Sequence, residues 1–131
     1  MSRPLLALAL MAGAVLVLKR RGGRDPVLGE FKVRAHKYSG LQPDLYYEFT
    51  NELEAYRASP SVDVATRHLY RAIDVLQELA LYAHPSSDAP YFIRVLANDL
   101  GNAAEDQLMR RALSNGENFT PKYLKEYPTV P

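Results

Sequence analysis

The chain has 131 residues, 16 Lys/Arg against 15 Asp/Glu for a net charge of +1, and no cysteine. The missing cysteines exclude a disulfide framework, a thiol nucleophile and cysteine-ligated zinc or iron–sulfur sites. The near-zero charge hides a division: residues 19–40 carry +5 and residues 41–131 carry −5.

Residues 4–18 contain no charge, and Lys19-Arg20-Arg21 follows at once, with Arg24 close behind. An apolar run closed by cations on one side has the form of a membrane anchor. As a helix its 15 residues extend about 22 Å, short of a bilayer core of about 30 Å. Snorkelling of Arg3 and Lys19 with local thinning closes that gap. Two other readings exist. Ala12-Gly13-Ala14 has the small-x-small form of a signal-peptidase site, and a buried core helix is also apolar. The cationic excess after the run predicts a single-pass topology with residues 19–131 on the cytoplasmic-equivalent side. Arg3, Lys19, Arg20, Arg21 and Arg24 are the candidate headgroup contacts. Asn118-Phe119-Thr120 is a formal glycosylation sequon that this topology leaves unused.

Residues 19–40 include Gly22, Gly23, Pro26, Gly29 and Gly40 and read as a basic, flexible linker of extended coil. Phe31-Lys32-Val33-Arg34-Ala35 alternates apolar and charged residues but has no obvious partner strand. A first helix starts at Gln42-Pro43-Asp44, because proline suits a first helical turn and aspartate its positive end. Leu41, Leu45, Phe49, Leu53 and Tyr56 form its apolar stripe. Ser61 or Asp63 caps a second helix, which His84-Pro85 ends. Ser86-Ser87-Asp88 opens a third helix, about 25 residues long, that Asn115-Gly116 closes. Gly101 in its middle costs about 1 kcal/mol relative to alanine, and signals close approach of another helix or nothing. The predicted fold is all-α: a membrane helix (1–18), the linker (19–40), a three-helix bundle (41–116) and an extended Pro/Tyr-rich tail (117–131). The tail is too apolar for a free end, and reads as a strap on its own bundle or on a neighbour.

Chemistry-bearing constellations are sparse. His36, His68 and His84 share no i, i+4 spacing, and no Glu-x-x-His pair suggests a di-iron bundle. Glu48 with Glu52, and Asp99 with Glu105 and Asp106, read as solvated helix faces. No catalytic, cofactor-binding or metal site is predicted, and no small-molecule substrate or specific nucleic acid. Nine tyrosines stand out. They offer apolar area with a polar tip, which suits interfaces, and Tyr46, Tyr47, Tyr123 and Tyr127 are the candidate protein contacts.

The order of parts carries a resemblance. A short membrane segment and linker precede Phe31 and then His36-Lys37-Tyr38-Ser39-Gly40-Leu41-Gln42-Pro43-Asp44-Leu45-Tyr46-Tyr47-Glu48-Phe49-Thr50-Asn51-Glu52-Leu53. Over residues 1–55 this resembles small membrane-anchored virion proteins of the nucleocytoplasmic large DNA viruses, in which a lysine–tyrosine element precedes a helix with aromatic and leucine positions. The resemblance implies a structural minor capsid protein that ties a lipid membrane to a protein shell, without catalytic residues. A single-pass accessory subunit of an organelle membrane complex has the same general plan, and a membrane-tethered adaptor is a third reading. All three have a lipid membrane as partner; the first two add other proteins of a larger assembly (capsid or membrane-complex subunits), and the adaptor adds soluble proteins.

Overall fold

The computed structural model describes residues 26–124. It is all-helical there: α1 spans Pro26–His36, α2 Pro43–Ala58, α3 Val62–Ala80 and α4 Ala89–Asn115. Among the described residues no helix is long and apolar enough to cross a membrane. The anchor of residues 4–18, the cations Arg3, Lys19, Arg20, Arg21 and Arg24, and Tyr127 lie outside the described residues.

Local signals set the boundaries of α2, α3 and α4. The Gln42 side chain accepts the Asp44 N–H at 3.1 Å, and Pro43 occupies the first turn, where its missing N–H costs nothing. Ser61 caps α3 by accepting the Val64 N–H at 3.2 Å. The helix ends at Ala80, ahead of His84-Pro85, because Leu81, Tyr82 and Ala83 turn back to carbonyls three residues earlier. Gly116 closes α4 with φ of 69°, a left-handed conformation that favours glycine.

The linker expected over residues 19–40 is corrected, because α1 forms inside it. Leu28, Phe31 and Ala35 recur at helical spacing and are all buried. Val33, which completed the alternating pattern, points outward at 76% exposure. Burying the Phe31 ring contributes about 1.5–3 kcal/mol, more than Gly29 costs inside the helix. Lys32 pairs with Glu54 of α2, and Arg34 pairs with Asp99 of α4 at 2.9 Å. Part of the basic collar therefore belongs to the bundle and neutralises its acidic faces.

Among the described residues the bundle accordingly has four helices where three were expected. Each packs on its neighbour in the chain, and α1 closes the ring against α4. α2 and α4 lie on a diagonal, bridged by Tyr56, whose hydroxyl donates to Gln107 Oε1 at 2.6 Å. One core joins Leu28, Phe31 and Ala35 to Phe49, Leu53, Leu69, Ile73, Leu76, Ile93, Leu100 and Leu108. Phe31→Ala is expected to destabilise the bundle by about 3 kcal/mol. Hydrogen exchange should locate the loss, with α1 amides exposed before those of α3.

Candidate functional site

Polar groups converge most densely where the chain returns along α4 after Gly116. Glu105 was expected on a solvated acidic face. Instead it is fully buried, while Asp106 remains accessible and pairs with Arg110 at 3.1 Å. The Glu105 carboxylate receives three successive backbone N–H groups. Lys122 donates at 2.9 Å to both oxygens, Tyr123 at 2.5 Å and Leu124 at 2.7 Å. Tyr70 of α3 adds its hydroxyl at 2.5 Å. Burial, reinforced by the bond to Glu105, pushes the Tyr70 hydroxyl well above its usual range, so it stays a donor. Charge-assisted bonds of this kind contribute about 1.5–3 kcal/mol each, and together they offset the cost of burying a carboxylate that has no cationic partner among the described residues.

The strap is held sterically as well. Tyr123 lies over Gly101, where an added Cβ would sit 2.5 Å from the ring's Cγ. The mid-helix glycine marks a close approach by the strap, not by the second helix that its position suggested. The Tyr123 ring also packs on Tyr70 at 5.9 Å between centroids, with the Lys122 ammonium 5.4 Å from the Tyr70 ring. Nearer the turn, the Glu117 carboxylate accepts the Val62 N–H at 2.8 Å, fastening the strap's start to the N-terminus of α3.

That Val62 bond, then Asn115 and Arg111, holds the Glu117 carboxyl below its ordinary 4.5. A carboxyl with a depressed folded value adds its full stability above the ordinary value and loses it as pH falls through the lowered one. The thermal midpoint should therefore fall on acidification below about 4.5, with a smaller fall in Glu117→Gln.

The structure separates the tyrosines proposed as interface residues. Tyr123 contacts its own chain, as the strap reading allowed. Tyr46 is half-buried, with its ring against His36 at 6.0 Å and Phe49 at 6.5 Å. Tyr47 projects outward at 67% exposure. Four further large apolar side chains stay exposed within residues 81–92: Leu81, Tyr82, Tyr91 and Phe92. They occupy the end of the bundle where α3 turns into α4. Sequence reasoning missed this cluster. Its signal was the apolar residues beside His84-Pro85 and Pro90.

No protein-family model, curated protein or solved structure matches the chain. The site must therefore be read from its own groups. Among the described residues no three His, Asp or Glu side chains gather as a metal site. His68 contacts Glu52 at 2.7 Å, and Arg71 holds the other oxygen of that carboxylate at 3.2 Å. His84 is engaged by Ser86 in the α3–α4 turn. What the arrangement does chemically is to bind a polypeptide strand through its N–H groups, and to leave an aromatic surface open at one end.

Proposed function

We propose that the chain is a structural, non-enzymatic protein that attaches a small helical bundle to a lipid membrane within a larger assembly. In the finer form of this reading it is a virion component, a minor capsid protein that joins an inner membrane to a protein shell. The observation that carries the proposal is the uncharged run 4–18 closed by Lys19-Arg20-Arg21, the form of a single-pass anchor. The bundle that follows supports it. Its most concentrated polar cluster binds its own strap, and exposed Leu81, Tyr82, Tyr91, Phe92 and Tyr47 suit contacts with protein neighbours.

The anchored segment is tighter than the sequence suggested. With α1 beginning at Pro26, residues 19–25 separate the apolar run from the bundle and reach at most about 25 Å. The bundle is thus held beside the bilayer. Protease treatment of intact native particles or membranes tests the role. Residues 41–131 should resist digestion until detergent disperses the assembly. Digestion at the rate of the purified protein would contradict an embedded scaffold.

A further inference from the structure

The geometry points to a lipid-phosphate site in the cleft between the C-terminal ends of α2 and α4, which sets the end of the bundle that faces the bilayer. This rests on the anchored reading above. The cleft, of ≈ 360 Å³, is lined by Tyr56, Arg57, Gln107, Leu108, Arg110 and Arg111. Three arginines thus share one opening in a stretch, residues 41–131, whose net charge is −5.

Topology creates the opening. α2 and α4 are diagonal neighbours, and α1 fills the space between them only along its own length. Lys32 meets Glu54 and Arg34 meets Asp99, while Glu30 and Phe31 share a second cleft with Ala103 and Asp106. α1 therefore runs antiparallel to α4. The Tyr56 hydroxyl at Gln107 and Arg111 at Ser59 span from α2 to α4 at this end, and the cleft opens beside them.

The guanidinium groups differ in how far the bundle uses them. Arg111 donates Nη2 to the Ser59 carbonyl at 3.2 Å, closing the C-terminal end of α2. Arg57 meets Glu54 through Nε at 3.5 Å, and Arg110 meets Asp106 through Nε at 3.1 Å. Neither contact is the two-pronged pairing a guanidinium makes with a carboxylate or phosphate, so each keeps its Nη edge for an anion. Tyr56 and Leu108 give the cleft an apolar floor beside the cations, which suits the glycerol side of a headgroup.

Position selects lipid over a soluble phosphate. The chain enters the bundle at Pro26, at the end where the cleft opens, and Lys19, Arg20, Arg21 and Arg24 lie in the intervening sequence. A tether of at most about 25 Å is shorter than α4, whose 27 residues extend about 40 Å. The exposed cluster at residues 81–92 then sits at the opposite end, free for protein.

The test uses the full chain in nanodiscs of phosphatidylcholine, with and without phosphatidic acid, and a lipid spin-labelled at its headgroup. With phosphatidic acid, amides of residues 57–61 and 107–116 should be broadened and those of 81–92 spared. Arg57→Gln with Arg110→Gln, both on exposed side chains, should abolish that broadening while the bundle's spectrum persists. Broadening at 81–92, or broadening that the double variant leaves unchanged, overturns the site but not the anchor. Inorganic phosphate shifting the cleft amides, without any headgroup approach, overturns the lipid source in favour of a soluble phosphoanion. A chain that stays out of the nanodiscs overturns the anchored reading and the site with it.

Discussion

Glu105→Gln is expected to free the strap and to destabilise the protein by about 2–4 kcal/mol. The carboxylate accepts from Lys122, Tyr123, Leu124 and Tyr70 and donates nothing. A carboxamide of the same shape keeps one acceptor and brings an NH2 group against donors that already face it. The loss is limited because the strap can leave, returning its three N–H groups to water. Two readouts should therefore move together. Amides 122–124 lose their exchange protection, and trypsin cuts after Lys122 much faster than in the parent. A variant that is destabilised while amides 122–124 stay protected would show that Phe119 and Tyr123 packing, rather than the clamp, holds the strap.

Gly101→Ala is expected to act with opposite sign in two backgrounds. A methyl at residue 101 meets Tyr123 Cγ at 2.5 Å and Cβ at 2.8 Å, so the helix and strap cannot both keep their positions. In the parent the substitution should cost about 1–3 kcal/mol. With Tyr123→Gly the obstructing atoms are gone, and alanine's better helix propensity should stabilise by about 1 kcal/mol. The coupling from such a double-mutant cycle belongs to the contact itself. Destabilisation of equal size in both backgrounds would place the glycine's role elsewhere, in the packing of α4.

The contrast between α1 and the other helices explains what the sequence revealed. α2 and α3 announce themselves through side-chain N-caps, and α4 through Pro90 in its first turn and Gly116 at its end, while Asp88 makes no cap bond; their ends fall within a few residues of expectation. In α1 two periods compete. The five residues from Phe31 to Ala35 alternate, while Leu28, Phe31 and Ala35 follow a helix. Gly29, Gly40 and a run of cations favoured the linker reading. Tertiary contact decided the matter, since a helix buries Phe31 and brings Lys32 and Arg34 to Glu54 and Asp99.

The clamp was only half legible. Gly101 was conspicuous as a mid-helix glycine, and Glu105 lies one turn further on the same helix. But Glu105 binds backbone N–H groups, which every residue but proline carries, so residues 122–124 leave no side-chain signature of the partnership. Adjacent Asp106 completed the picture of an acidic, solvated face. The arginine cleft was illegible for another reason. Arg57 and Arg110 come together through a diagonal of the bundle, and the missing fourth helix left that diagonal undefined.

Alkaline carbonate extraction of membranes carrying the full chain tests the central claim most directly. The account predicts that the chain stays with the lipid pellet, and that Leu10→Arg, a charge near the middle of the run that costs about 2.5–3.5 kcal/mol in a bilayer, moves it to the supernatant. Release of the parent chain by carbonate would contradict an anchored bundle.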